Sequence, residues 1–331
     1  MNFYFIGGLW PELGETLMQQ GHACHLAPCV TETMSHMPSF LALVGEKDLK
    51  SGNQRLVDDI IAHKTDVVIV FRGWDHENMR ITATTIKQLK HQGVYTVYWC
   101  LDDPFFFDLH GHKYEHTKHY DCILTCCEGL IERYKQECGH DNVHILYPAW
   151  DRVMWSDTPV PEDQKVDFTI IGSAYKKPLS RFTVARAVLR AGLSLEIYGP
   201  KDQWEVDKIA IQHHKGYWDV HDMDILYNRT RINFSSHIRP DGYKYLNSRI
   251  FEVLGTSNFL LVDTVSGIEE IFTNGRELVI FHDIPDLVQK AQYYIEHVDE
   301  RNQIAAQGKK WILDGEHTYA GRAAELLSYI K

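Results

Sequence analysis

Asn247-Ser-Arg-Ile-Phe-Glu-Val-Leu-Gly-Thr-Ser-Asn-Phe-Leu-Leu-Val-Asp263 is the stretch that decides how this chain is read. Asn247–Leu254 spaces its apolar residues as one face of a short helix, and Phe259–Val262 is an unbroken apolar run of strand length. A helix that feeds straight into a buried strand is the building unit of a parallel, helix-covered sheet. The helix also carries a carboxylate, Glu252. Beside a strand end, such a group can accept two hydrogen bonds from the vicinal diol of a ribose. A helix-surface or capping role is the competing reading.

The same alternation runs outward from this segment. Ahead of it lie strands at Phe168–Ile171, Leu195–Tyr198 and Arg231–Ser235, with helices at Leu179–Ala191 and Asp222–Thr230, Asp222 serving as N-cap. After it come helix Gly267–Phe272 and strand Leu278–Phe281. Three helical stretches close the chain, Pro285–His297, Glu300–Leu313 and His317–Ile330, the last placed to pack back onto the first half. The first half alternates likewise: Phe3–Ile6, Glu12–Gln20, Val67–Phe71, Met79–Gln92, Val94–Trp99, Cys122–Thr125, Gly129–Glu137 and His144–Tyr147. Asp151–Lys165, with Pro159, Pro161 and scattered charges, breaks the pattern and reads as a linker. The expected fold is therefore α/β, with two Rossmann-like parallel-sheet domains at 1–150 and 166–315, a linker at 151–165 and a C-terminal helix at 316–331.

Bulk properties agree with that size. A chain of 331 residues has room for two domains, and 44% hydrophobic with 24% charged residues is a globular composition. No apolar run is long enough to span a bilayer, and Met1–Gly8 has no basic leader or cleavage site, so a cytoplasmic protein without membrane insertion is expected. All seven cysteines lie in the first half and two are adjacent, which favours reduced core thiols over a disulfide framework. A net charge of -11 argues against broad capture of nucleic acid.

Ligands of open parallel sheets bind beyond the carboxyl ends of the strands, so the junctions there hold the candidates. Gly7 and Gly8 follow the first strand and let backbone N–H groups approach an anion, a tight turn being the alternative. Gly172-Ser-Ala-Tyr-Lys-Lys-Pro-Leu-Ser-Arg181 follows the first strand of the second half. Gly172, Ser173, Lys176 and Lys177 there offer a turn, a hydroxyl and cations at a helix start, a combination suited to a diphosphate. Tyr98-Trp-Cys-Leu-Asp-Asp-Pro104 ends a strand with Asp102 and Asp103, of which only one can face a given side. Orienting or deprotonating an acceptor hydroxyl competes there with helix capping. His110, His112, His116 and His119 lack a carboxylate or thiol at ligand spacing, and read as a solvated helix start rather than a metal site.

With these pieces placed, the chain resembles the glycosyltransferases typified by CgeB, within the GT-B superfamily. The segments "FTIIGSAY", "LEIYG", "SRIFEVLGTSNFLLVD", "GRELVIFHD" and "HTYAGRAAELL" carry the likeness over Val166–Ile330, and "VYWCLDDPFFFD" and "YDCILTCCEGLIERY" extend it to the first half. The resemblance implies two domains facing a central cleft, with a nucleotide-sugar donor, a UDP-sugar for preference, on the second and an acceptor on the first. It implies that Gly172 and Ser173 meet the diphosphate, that Tyr217 in the Lys215–Trp218 turn lies against the base, that Glu252 holds the ribose, and that Arg249 lies near the phosphates or braces Glu252. Many retaining relatives carry a second glutamate eight positions earlier, and here that position is Lys244. Asp241, Tyr243 or Lys244 is then left to contact the sugar.

The implied chemistry is metal-independent hexosyl or pentosyl transfer that needs no cofactor. Lys176 or Lys177, Arg239 and helix N-termini would assist the leaving diphosphate. Asp103, with Asp102 beside it, is the expected base for an inverting reaction, and His237 is a lesser candidate for a sugar contact. A glycan, a small molecule, a protein or a modified base of phage DNA would serve as acceptor. A nucleotide-sugar epimerase of the same fold, or a non-catalytic sugar-nucleotide-binding module, stands as the alternative.

Overall fold

A computed structural model describes residues 1–27, 49–72, 81–101, 117–174, 180–237 and 244–330. The chain divides into two compact units: Met1–Pro148 with Tyr319–Lys331, and Ala149–Thr318. Among the described residues no helix is long and apolar enough to cross a membrane.

The first unit is built on strands β1 (Asn2–Ile6), β2 (Ala23–Leu26), β3 (Val67–Arg72), β4 (Tyr95–Cys100), β5 (Cys122–Thr125) and β6 (Val143–Ile145). All neighbours pair in parallel, in the order β2-β1-β3-β4-β5-β6. Its helices are α1 (Pro11–Gln19), α2 (Leu49–Ala62), α3 (Ala83–His91) and α4 (Ile131–Cys138), joined by the C-terminal helix Tyr319–Tyr329. Phe3, Tyr4, Phe5 and Ile6 are all buried, as are Val67 to Phe71, because a parallel sheet is covered on both faces. Helix boundaries follow local chemistry. Pro11 opens α1, the Thr82 hydroxyl accepts from the Thr85 amide at the start of α3, and Gly139, at φ 63°, closes α4 in a left-handed cap.

The second unit holds β7 (Val166–Ile171), β8 (Leu195–Tyr198), β9 (His214–Gly216), β10 (Thr230–Ser235), β11 (Leu260–Asp263) and β12 (Val279–Phe281). Their order, β12-β11-β10-β7-β8-β9, is the Rossmann order of two half-sheets that meet between β7 and β10. The helices are α5 (Arg181–Arg190), α6 (Lys201–Trp204), α7 (Met223–Asn228), α8 (Ser248–Gly255), α9 (Ile268–Ile271), α10 (Ile284–Glu296) and α11 (Val298–Asp314); the C-terminal helix of the first unit is α12. Phe168, Ile170, Ile197, Ile232, Phe234, Leu261 and Val279 form the sheet side of one core, against Val184, Val188 and Leu287 of the covering helices.

Several expectations shift in detail. The strand placed at His144–Tyr147 runs instead over Val143–Ile145, and the Leu146 carbonyl beyond it accepts from Trp99 Nε1 at 3.3 Å. Edge strands β2 and β9 escape a reading based on apolar runs, because an edge keeps half-exposed residues such as Cys24, His25 and Lys215. Asp222 precedes α7, yet its side chain makes no capping bond. Asp219 caps instead, accepting from the His221 amide at 2.9 Å, because a 3₁₀ turn at Val220–Asp222 already leads the chain into the helix. Residues 151–165 lack strands and α-helices but belong to the second unit. Trp155 is buried and donates to the Val220 carbonyl at 2.8 Å, and the Ser156 amide and hydroxyl both donate to Asp224.

Candidate functional site

The crevice where β7 and β10 diverge is the place in the second unit where topology opens a site. At the end of β7, Gly172 takes a φ of 117°, donates its amide to the Tyr198 carbonyl at 2.7 Å, and has its own carbonyl held by Trp204 Nε1 at 3.1 Å. Gly199, at the end of β8, lies directly against it: a Cβ on Gly199 would fall 2.3 Å from the Gly172 carbonyl oxygen. Arg181, the first residue of α5, reaches back so that Nη1 donates to the Ser173 carbonyl at 2.7 Å. Gly172, Ser173 and an arginine at a helix start thus meet in one turn. The lysines expected beside them, Lys176 and Lys177, lie outside the described residues.

Beyond β10, His237 is clamped by Asp263, the last residue of β11. The His237 amide donates to both Asp263 oxygens, at 3.0 and 2.9 Å, and ring Nδ1 meets Oδ1 at 2.7 Å. The Tyr245 ring packs edge-on to the imidazole at a centroid distance of 4.9 Å. His237 Nε2 is buried and has no hydrogen-bond partner among the described residues. In the adjoining turn, Asn247, the N-cap position of α8, turns its side chain to Ser235 Oγ and makes no cap bond to the helix. The first amides of α8 are therefore not satisfied by its cap side chain.

One turn into α8 stands Glu252, only 8% exposed. The hydroxyl of Tyr227, from α7, donates to its Oε2, and no other hydrogen bond reaches this carboxylate among the described residues. Burial, and after it the Glu252 charge, raise the Tyr227 pKa well above the ordinary phenol value, so the hydroxyl stays a donor. Arg249, on the same helix, sets its guanidinium 5.9 Å from the Tyr227 ring centre; among the described residues it makes no ion pair, and its buried Nη1 has no partner. Glu252, Tyr227 and Arg249 are thus one cluster, in which a carboxylate oxygen and a cation remain uncommitted.

The other expected residues fall elsewhere. Lys244 Nζ is engaged by Glu270 at 2.9 Å, and its stem crosses Gly267. Tyr217 is 64% exposed just after β9, and Trp218 beside it packs edge-on against Tyr198 at 5.3 Å. Gly7 and Gly8 belong to the first unit, at its own divergence of β1 from β3, where a Cβ on Gly7 would meet the Phe71 carbonyl at 2.6 Å. Asp102, Asp103, Arg239, Asp241 and Tyr243 lie outside the described residues, as do His110, His112 and His116. Two site residues escaped the sequence reading, Asp263 and Tyr227. Asp263 carried a signal, a lone carboxylate ending an apolar run, whereas Tyr227 carried none, being one aromatic among many.

The comparisons agree with this architecture. Residues 176–328 match a family described as glycosyl transferase-like. The spore protein CgeB of Bacillus subtilis (strain 168) is 22% identical over 247 residues, which span 70% of this chain and 74% of the relative. Among solved structures, HepE of Anabaena in complex with UDP-glucose superposes over 100% of both chains with a TM-score of 0.69 and 11% identity. Sucrose-phosphate synthase of Thermosynechococcus elongatus superposes over 99% of this chain and 98% of its own, with a TM-score of 0.68 and 10% identity. The fold shared with them is GT-B, two Rossmann-type parallel-sheet domains in one chain.

Proposed function

We propose that this chain, which has the GT-B fold and resembles the CgeB-like glycosyltransferases, transfers a sugar from a UDP-sugar, bound on the second unit, to an acceptor hydroxyl. The observation that carries the reading is the uncommitted pair on α8: a Glu252 oxygen able to accept from a ribose hydroxyl, and an Arg249 guanidinium without a counter-ion among the described residues. A buried guanidinium nitrogen on a partly buried arginine is costly to leave without a partner, and an anionic ligand offsets that cost. The Gly172–Ser173 turn supplies close backbone approach, and Arg181 a second positive group, on the diphosphate side. The HepE complex with UDP-glucose supports the choice of uracil as the base to test first.

In this reading Arg249, Arg181 and the open start of α8 stabilise the negative charge that grows on the leaving diphosphate. Lys176, Lys177 and Arg239 add to that stabilisation, Tyr217 stacks on the base, and no metal ion or other cofactor takes part. Asp103, with Asp102 as its neighbour, deprotonates the acceptor if the reaction inverts. The acceptor pool to test comprises sugars, glycans, protein and hydroxymethylated DNA. The test is a thermal-shift screen of nucleotide sugars, followed by turnover of the best donor against that pool. Stabilisation by UDP and one UDP-sugar, with release of UDP when acceptor is added, is expected. No shift with any nucleotide would overturn the proposal.

A further inference from the structure

We propose that Asp263 is a positioning residue for the transferred sugar, acting through His237; the inference rests on the donor site proposed above. His237 is 3% exposed and Asp263 6%, so the pair sits inside the carboxyl-end face of the sheet, next to the β7–β10 crevice. Three hydrogen bonds run from His237 to one carboxylate, two from its amide and one from ring Nδ1. An acceptor so placed fixes the ring with Nδ1 carrying a proton, and turns Nε2 away from Asp263. The Tyr245 ring, edge-on at 89°, blocks rotation of the imidazole.

The consequence is a buried nitrogen in a set orientation with no partner among the described residues. Leaving such an atom unsatisfied is costly, and structures keep such groups where a ligand completes them. The chemistry of that ligand follows from the carboxylate. A negative charge one ring away disfavours a second anion at Nε2, whereas a hydroxyl serves Nε2 in either protonation state, donating to the bare nitrogen or accepting from N–H. A sugar hydroxyl fits, and a phosphate oxygen does not. Arg249 and Arg181 already supply the charge a phosphate needs.

Calorimetry on the full chain, with UDP, UDP-glucose, UDP-galactose and UDP-N-acetylglucosamine as probes, tests this on His237→Gln, Asp263→Asn, Asp263→Ala and the His237→Gln/Asp263→Ala pair. Loss of one buried hydrogen bond should weaken the preferred sugar nucleotide about 10-fold in the His237→Gln and Asp263→Ala variants, with affinity for UDP unchanged. Asp263→Asn should lose less, because its amide oxygen still accepts from Nδ1–H, and it remains a usable variant if Asp263→Ala does not fold. The double variant should be no worse than the weaker single one, since both act along one path. Equal weakening of UDP, unchanged sugar-nucleotide affinity, or losses that multiply in the double variant would overturn the inference. A wild-type protein that binds none of the four probes would overturn the donor site itself, and the inference with it.

Discussion

Glu252 shows how one side chain joins a local pattern to a proposed ligand contact. Its position on α8 was legible, because the helix and the strand after it declare themselves by apolar spacing, and the resemblance then singled it out. Its partner was not, since the Tyr227 hydroxyl arrives from a separate helix. Glu252→Gln keeps the shape but removes the charge that would strengthen the proposed ribose contact. UDP affinity measured by calorimetry should fall by about 1–3 kcal/mol with the circular dichroism spectrum unchanged; equal affinity would remove Glu252 from the site. Gly199 is the converse case, a residue whose role lies entirely in a contact distant in sequence. A methyl group there would press to 2.3 Å from the Gly172 carbonyl, so Gly199→Ala should destabilise the protein by roughly 1–3 kcal/mol and weaken UDP binding, through displacement of the turn. A variant with unchanged melting temperature and unchanged affinity would show that the turn yields at no cost.

Between elements, charge holds the irregular stretch 151–165 to the sheet. Arg231, on β10, bonds Glu162 at 2.8 Å and Asp167 at 2.7 Å, and Arg301, buried on α11, reaches Glu162 at 2.6 Å. Burial raises the Glu162 pKa, but hydrogen bonds from Arg231 and Arg301 outweigh it and hold the carboxyl below the usual range. Asp167 likewise is raised by burial and lowered further by Ser194 and Arg231. A carboxylate whose pKa is depressed by folding stabilises the native state above its unfolded pKa, and that stability disappears as pH falls through the folded value. Stability should therefore decline below about pH 4. Arg231→Leu should lower the melting temperature at pH 7 and flatten its fall between about pH 5 and pH 3. An unaltered slope would acquit the network.

The C-terminal helix is held in the same manner within the first unit. Arg322 is almost wholly buried, and donates to the Tyr147 carbonyl at 2.8 Å and the Pro148 carbonyl at 3.3 Å, while Tyr319 stacks on Trp10 at 4.6 Å. Arg322→Leu leaves two carbonyls short of a donor and should cost about 2–4 kcal/mol, read from the denaturant midpoint. A loss below a few tenths of that would mean the helix is carried by its apolar face alone.

At the scale of the whole chain, each unit has its own sheet, and the proposed donor site lies on the second. The proposal that arginines and helix N-termini, rather than a divalent ion, assist the leaving group makes a direct prediction. Turnover, once a donor and acceptor pair is found, should persist in excess EDTA. Its abolition by chelator, with recovery on adding manganese or magnesium, would refute that part of the mechanism.

From the order of residues alone came the alternation of apolar runs with amphipathic stretches, hence two parallel sheets, and the junctions after each strand where a ligand must lie. Those features are local: strand burial and helix periodicity are written into neighbouring residues. Edge strands β2 and β9 were not legible, since half-exposed strands do not differ in composition from loops. Nor were the pairings that shape the site, His237 with Asp263, Glu252 with Tyr227, and Gly172 against Gly199. Each joins residues more than twenty positions apart, and only the register of β7, β8, β10 and β11 and the packing of α7 against α8 bring them within hydrogen-bonding or van der Waals reach. Which carboxylate is occupied and which cation is left uncommitted is a property of that packing, because it depends on desolvation and on partners that no linear spacing encodes.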